Sequence, residues 1–355
     1  NGFFYVLDRK TGELLGAEPF VPVNWASHVD LETGRPVINQ EAKYWETGNA
    51  ALVTPSWMGG HNWHPMSFDA ERNVMYLPTQ ETAFPYLGED DQTPAKLAVN
   101  LGVDTKAAAL PDDIAVIEQV KASTKGHLLA WDVQNQAPVW KVEYPGAWNG
   151  GVLATAGELV FQGSAAGFLH AYSATDGEAV WEYPVQTGIV APPVTYAVDG
   201  EQYVTVSAGW GGIFPLMTGV LVEDTTGPDP INKSRLLTFK LGGEAALPPL
   251  PIRDRELVEV EPAMIDQDLS EEGFAVYDRY CVNCHGAGVV SGGVLPDLRY
   301  SSLTLSEDDW QRVVHDGILK DRGMMGYSGE LSRSQVTAIR HYVMSRALTE
   351  SRAEN

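Results

Sequence analysis

Two stretches of the chain repeat each other. "LLAWDVQNQAPVWKVEYP" (128–145) and "FLHAYSATDGEAVWEYP" (168–184) align without gaps at an offset of 41 residues, with Ala130 over Ala171, Trp131 over Tyr172 and Trp140 over Trp181. Near the start, "FYVLDRKTGELLGAEP" has the same order of strand, Asp or Ser, Gly-containing turn and second strand. A period of about 40 residues built from short strands is the signature of a β-propeller blade, whereas a β-sandwich has no reason to repeat. Alternating segments such as "YVTVSA" and "LLTFKL", broken by Gly, Asp-Gly and Pro, fit the same scheme. The tryptophan after each turn, Trp140 and Trp181, is expected to pack between neighbouring blades. A polar, Ala-rich stretch from Asp104 to Lys125 interrupts the series as a helical insertion. Residues 244–262, "EAALPPLPIRDRELVEVEP", are Pro-rich and charged and read as an extended linker. The expected organisation is therefore an all-β propeller portion over 1–243, a linker over 244–262 and a second domain over 263–355.

The second domain contains both cysteines of the chain, in "CVNCH", Cys281 to His285. A structural zinc site needs four ligands, and no second pair follows at a suitable distance. A thioredoxin-like site opens a helix within a βαβ unit, whereas this pair follows the helical stretch "SEEGFAVYDRY" and leads directly into histidine and glycine. In C-x-x-C-H the two sulfurs, one helical turn apart, attach a c-type haem through thioethers and the imidazole binds its iron. Further on, "KDRGMMGYSGELSRSQ" offers a thioether on a polar, glycine-rich loop as second axial ligand. Met324 and Met325 are adjacent, so only one can face the iron. Pro296, between the motif and that loop, suits a carbonyl that orients the proximal histidine through its ring N–H. Ser306 with Asp309 and Ser332 with Gln335 read as capping boxes, and Val336, Ile339, Tyr342 and Val343 form one helical apolar face. These features predict an all-α, class I-like cytochrome c domain.

Composition limits the partners. With 24 Lys and Arg against 47 Asp and Glu, the net charge of −23 argues against nucleic acid and anionic membrane, and no apolar run is long enough to span a bilayer. The first residue is Asn and "NGFFYVLDRK" begins within a strand, so the segment is expected to be a piece of a longer, exported chain. Thioether haem attachment takes place outside the bacterial cytoplasm, which places the expected location in the periplasm. Three Trp–Gly stretches break the repeat: "GGHNWHPMSF", "AWNGGVLATAG" and "SAGWGGIFP". A planar cofactor can stack on Trp63, Trp148 or Trp210, with Asn62 and Asn149 supplying amide donors and acceptors; ordinary core packing explains the same tryptophans equally well. His61 and His64, with Asp69 nearby, fit a structural or hydrogen-bonding role better than a metal site.

"NGFFYVLDR", "PVNWAS", "HNWHPMSF", "WNGG", "TAGELVFQGSAAGFLHAYSATDGEAVW" and "AGWGG", followed by the Pro-rich linker and "CVNCHG", closely resemble the C-terminal half of the quinohaemoprotein alcohol dehydrogenases. Those enzymes hold pyrroloquinoline quinone (PQQ) in an eight-bladed propeller fused to a cytochrome c. The resemblance implies about half of such a propeller here, with Asn62 and Trp63 contacting the quinone. It further implies that Trp148, Asn149 and the Ala208 to Trp210 stretch border the quinone or substrate cavity, and that Cys281, Cys284, His285 and Met324 hold the haem. The family has Gly-Met-Pro where this chain has Gly323-Met324-Met325. The proton-accepting aspartate, the calcium ligands and a vicinal cysteine pair lie upstream in the family, so no catalytic base is expected here, and the segment alone is expected to fold poorly and to be inactive. The implied reaction is oxidation of a small alcohol to an aldehyde, with electrons leaving through haem c to a soluble cytochrome, a copper protein or a membrane cytochrome subunit. The linker is expected to park the cytochrome over the quinone. The alternatives are a non-enzymatic propeller scaffold carrying a cytochrome, or a related quinoprotein acting on sugars or polymeric alcohols.

Overall fold

Asp8, Asp30, Asp69 and Asp132 each turn a carboxylate oxygen back onto the backbone N–H groups two and three residues ahead, and Asp176 accepts from Glu178 N–H. These Asx turns close one hairpin after another, and the repeat seen in the sequence is this hairpin. The computed structural model describes residues 1–89, 94–98, 100, 102–104, 109, 114–226, 232–250 and 255–353.

The chain divides into two compact units. The first comprises Asn1–Leu87, Asp113–Gly211 and Leu221–Leu250 and is built of antiparallel sheets. Strand β1 (Phe3–Leu7) pairs with β2 (Leu14–Pro19), and β3 (Ala26–Asp30) pairs with β4 (Arg35–Ile38). Next come β5 (Ala51–Val53), β6 (Ser67–Asp69), β7 (Val74–Glu81) and β8 (Phe84–Tyr86). β5 pairs with β8, while β6 and β7 join β9 (Lys125–Asp132) and β10 (Ala137–Tyr144) in a four-stranded sheet ordered β10-β9-β7-β6. A second four-stranded sheet runs in order through β11 (Val152–Ala154), β12 (Leu159–Gly163), β13 (Phe168–Ser173) and β14 (Ala179–Pro184). A third sheet follows from β15 (Val194–Val198), β16 (Glu201–Ala208) and β17 (Arg235–Phe239). These are propeller blades.

The repeated tryptophans act between blades. Trp140 donates its indole N–H to Ala174 O (3.1 Å) in the following blade, and Trp181 meets Phe239 of the next one edge-on at 5.4 Å. Between the two four-stranded blades lie Tyr76, Leu128, Ala130, Val160 and Tyr172, all buried. The inserted helix is Ile114–Ser123; residues 105–108 and 110–113 of the Ala-rich stretch lie outside the described residues.

The second unit comprises Gly88–Asp112, Gly212–Val220 and Pro251–Asn355, so two excursions from the blade region cluster with the C-terminal residues. Its core sets Tyr277, Val289, Trp310, Val336, Ile339 and Val343 together, burying the apolar face of the closing helix Arg333–Ala353. Ser332 and Gln335 form a reciprocal capping box at its start, Gln335 N–H reaching Ser332 Oγ at 3.2 Å and Ser332 N–H reaching Gln335 Oε1 at 2.9 Å. Ser306 Oγ accepts from Asp309 N–H to open the helix Glu307–Val314.

The Pro-rich stretch carries no helix or strand over 244–250 and 255–261, as its composition dictates. It is nevertheless tethered in both units. Tyr183 and Gln186 donate to Ala245 O and Pro248 O in the first. In the second, Val258 and Val260 are buried with Ile265, Met344 and Ala347.

Candidate functional site

In the first unit two of the loops that carry Trp–Gly stretches touch, and the loop of Trp210 meets the second of them by way of residues 188–192. Val152 N–H donates to Pro65 O (2.9 Å), and a Cβ on Gly151 would stand 2.7 Å from Pro65 Cδ and 2.8 Å from Pro192 Cβ. Only glycine lets these loops approach so closely. Gly209 N–H donates to Gly188 O at 2.9 Å, which brings in the third stretch.

The tryptophans then separate by exposure. Trp63 is 52% exposed, Trp148 2% and Trp210 6%. His64 lies behind Trp63, stacked at 4.3 Å and 21°, and meets Trp148 edge-on at 4.9 Å; Trp63 and Trp148 are 6.5 Å apart. One side of the Trp63 indole is thus backed by protein. Trp148 adopts φ +66°, a conformation that costs a bulky residue about 1–3 kcal/mol and persists only where packing imposes it. Asn62 donates to Met58 O (2.8 Å) and accepts from Trp63 N–H (2.8 Å), fixing the entry to the platform. Asn149 is buried, its amide committed at both ends, to Gly146 O (2.8 Å) and from Ala165 N–H (2.9 Å). Ala208 and Trp210 line a cavity of about 390 Å³ with Ser207, Ser234 and Arg235, and Trp210 N–H donates to Asn232 Oδ1. His61 donates Nδ1–H to Pro78 O (2.8 Å).

Burial, with His61 close by, lowers the pKa of His64 to about 4, and its Nε2 has no hydrogen-bond partner. The folded state therefore keeps a neutral imidazole where the unfolded chain takes up a proton near pH 6.5. Its contribution is intact above pH 6.5 and falls by about 3 kcal/mol as pH drops through 4. Thermal melts of the parent protein between pH 7 and 4 are expected to show a smaller loss on acidification for His64→Phe than for the wild type.

In the second unit, Cys281 caps the helix Gln267–Tyr280, whose start is capped by Asp266 accepting from Leu269 N–H, and a single turn, Val282–His285, follows. His285 N–H donates to Cys281 O, so Cys284 and His285 follow Cys281 by one helical turn and the two sulfurs and the imidazole leave the same turn. The two cysteines are not joined in a disulfide; Cys281 is buried, its pKa pushed up to about 12, while Cys284 is exposed. His285 is buried and donates Nδ1–H to Pro296 O (3.0 Å), leaving Nε2 as the unprotonated nitrogen; burial holds its pKa below the ordinary histidine range. Tyr277 Oη donates to Gly286 O (2.8 Å), pinning the backbone just past the histidine. Gly286 takes φ +82°, and a Cβ there would meet Val290 O at 1.9 Å, so glycine is required after the motif. On the glycine-bounded loop, Met324 is half-buried against the core that contains Cys281, Val282 and Tyr327, whereas Met325 is 49% exposed. Two thiols one turn apart, a tautomer-fixed imidazole and a half-buried thioether are the donor set a c-type haem requires.

Known proteins combine the same two parts. A β-propeller family model described as glucose/ethanol/alcohol dehydrogenase matches residues 45–204, and one described as cytochrome C oxidase, cbb3-type, subunit III matches residues 268–343. Quinohemoprotein alcohol dehydrogenase ADH IIB of Pseudomonas putida is 44% identical over 347 residues, covering 98% of this chain and 48% of the relative. Over nearly its whole length the chain is similar to the quinohaemoprotein alcohol dehydrogenases. The dehydrogenase subunit of the quinone alcohol dehydrogenase of Komagataeibacter europaeus is 40% identical over 98% of this chain and 47% of its own length. The solved structure of quinohemoprotein alcohol dehydrogenase ADHIIG from Pseudomonas putida HK5 superposes with a TM-score of 0.89 at 39% identity, covering 99% of this chain and 51% of that one. The chain thus spans about half the length of the family members it matches.

Sequence reasoning named the tryptophans, the asparagines and the candidate haem donors. It did not find the stacking of His64 on Trp63, the Tyr277 anchor, or the pairing of Asp297 with Arg299. The first and last had a visible signal, an aromatic neighbour in "NWH" and opposite charges in "PDLR"; the hydrogen bond from Tyr277 to Gly286 had none.

Proposed function

We propose that the protein carrying these blades and this haem domain oxidises small alcohols to aldehydes with PQQ as hydride acceptor, and passes the electrons through haem c to an external carrier. The observation that carries this reading is the pairing, in one chain, of a half-exposed Trp63 backed by His64 with a complete set of haem donors. We propose further that the sheets here form about half of an eight-bladed propeller, that residues 244–262 link it to a cytochrome over 263–355, and that the carrier is a soluble cytochrome, a copper protein or a membrane cytochrome subunit.

When bound, the quinone supplies the two-electron chemistry and the haem the one-electron relay. The residues of this chain bind and orient. Trp63 offers its indole face to the planar ring system, while Asn62, held by Met58 O, fixes the direction of that face. Trp148 supports the platform edge from within the core. Asn149, with both amide ends spent on backbone, braces the loop rather than reaching a ligand. Ala208 and Trp210 line an open recess as candidate cofactor or substrate wall. Cys281 and Cys284 would form the thioethers, and His285 Nε2 and Met324 Sδ would ligate the iron; the exposure of Met325 favours its neighbour for that role. Among the described residues no group of three or more His, Cys, Asp or Glu side chains is placed to hold a metal ion, so the calcium of the family is assigned to no residue here. Maturation of thioethers outside the bacterial cytoplasm supports a periplasmic location.

The test is absorbance of the haem in the full-length protein, exported with haem maturation, as alcohol is added with and without PQQ and calcium. Reduction by alcohol only when both are supplied supports the reading. A haem that dithionite reduces but no alcohol does, with PQQ and calcium present, overturns the dehydrogenase and leaves an electron-carrying scaffold or another substrate class.

A further inference from the structure

We infer that a buried ion pair, Asp297 with Arg299, tied to Glu350 on the closing helix, is a positioning device that holds the Pro296 carbonyl against the ring N–H of His285. The inference rests on the haem reading above.

The residue that accepts the hydrogen bond from His285 Nδ1–H lies in an irregular segment, where nothing in regular secondary structure holds the carbonyl in place. The next residue supplies the anchor. The Asp297 side chain is 1% exposed and that of Arg299 3%. Arg299 grips Asp297 in a fork, Nε to Oδ1 at 3.0 Å and Nη2 to Oδ2 at 2.8 Å, and Arg299 N–H adds a third bond to Oδ1 at 3.1 Å. Ser291 N–H donates to the other oxygen, at 3.3 Å, so the chain before Pro296 is drawn onto the same carboxylate. The remaining arm of the guanidinium reaches Glu350 at 3.1 Å, and Arg299 O accepts from Val258 N–H.

Withdrawing a carboxylate and a guanidinium from water is costly, and well-packed apolar residues are often as stable in such places. What the pair contributes that a hydrophobic contact lacks is direction, because a forked Arg–carboxylate contact fixes both partners in plane. A hydrogen bond from the outer nitrogen of a metal-bound imidazole raises the basicity of the ligand and fixes its orientation. A firm Nδ1–H···O bond thus favours ferric haem, and loosening it raises the reduction potential.

Charge-preserving variants of the full-length, haem-loaded protein separate this effect from Coulombic ones. Arg299→Lys keeps the positive charge and loses the fork; the double variant Asp297→Asn with Arg299→Gln removes the pair without changing net charge. Both are expected to raise the ratio of reduced to oxidised haem by about threefold or more at a fixed solution potential, and to speed solvent exchange of the His285 Nδ1 proton in paramagnetic NMR spectra. Wild-type potential and exchange with only a lower melting temperature would show a purely structural pair and overturn the inference. Should neither variant fold, Glu350→Gln, which removes the outer partner and one negative charge, is read by proton exchange alone: faster exchange of the His285 Nδ1 proton is expected, and unchanged exchange overturns the inference equally. Wild-type protein with no covalent haem by pyridine haemochrome would instead remove the haem reading, and the inference with it.

Discussion

A Cys281→Ala, Cys284→Ala variant of the full-length protein is expected to release all of its haem under denaturing conditions and to pass no electrons from alcohol to an external acceptor. The physical basis is the single turn Val282–His285 with Cys281 as its N-cap, which presents both thiols beside one imidazole. Loss of the tether leaves only axial coordination, and an iron centre held by two ligands without covalent support dissociates as the protein opens. The axial set is then resolved by single changes. His285→Ala is expected to reduce alcohol-driven electron transfer more than about 100-fold, since alterations of outer partners alone cost 10- to 100-fold at metal sites. Met324→Leu is expected to abolish the far-red charge-transfer band between methionine sulfur and ferric iron and to lower the reduction potential, because thioether ligation raises it. Met325→Leu leaves both unchanged. Persistence of that band in Met324→Leu and its loss in Met325→Leu would reverse the assignment.

The second large effect concerns the platform. Trp63→Ala is expected to weaken PQQ binding by about 2–4 kcal/mol, roughly 30- to 1,000-fold, the usual loss when an aromatic anchor of a binding surface is truncated. Its melting temperature changes little in the absence of PQQ, because half of the side chain already faces solvent. Trp148→Ala is expected to behave in the opposite way. With 2% of its surface exposed, its loss costs about 3–5 kcal/mol of stability. Equilibrium titration of apoprotein with PQQ, alongside thermal melts, distinguishes the two. Equal quinone affinity in wild type and Trp63→Ala would remove the platform role, and a large drop in melting temperature on Trp63→Ala would make it a core residue.

Glu350 illustrates what a linear reading misses. It lies on the closing helix, far along the chain from "PDLR", and only folding brings it to the third arm of Arg299. Segments 88–112 and 212–220 present the same difficulty in another form. They interrupt the blade region in sequence, yet both cluster with the C-terminal residues, and nothing in their residue pattern points to that unit. Asn149 shows the converse case. Its residue type suits a ligand contact, but the backbone around it consumes both ends of the amide.

Features whose cause is local were open to the sequence by itself. Two thiols and an imidazole on one helical turn need only five consecutive residues. Blade hairpins recur because an Asx turn is decided within a few positions, and the helix caps at Ser306 and Ser332 are equally short-range. The tertiary structure decided everything that depends on exposure and on partners distant in the chain: that Trp63 is half open while Trp148 and Trp210 are buried, that Met324 is covered and Met325 is not, that His64 is held neutral behind an indole, and that Asp297 is clamped. The reason is physical. A residue's type sets which interactions it can make, but desolvation and pairing are properties of its whole surroundings, and those are assembled from segments that the sequence keeps far apart.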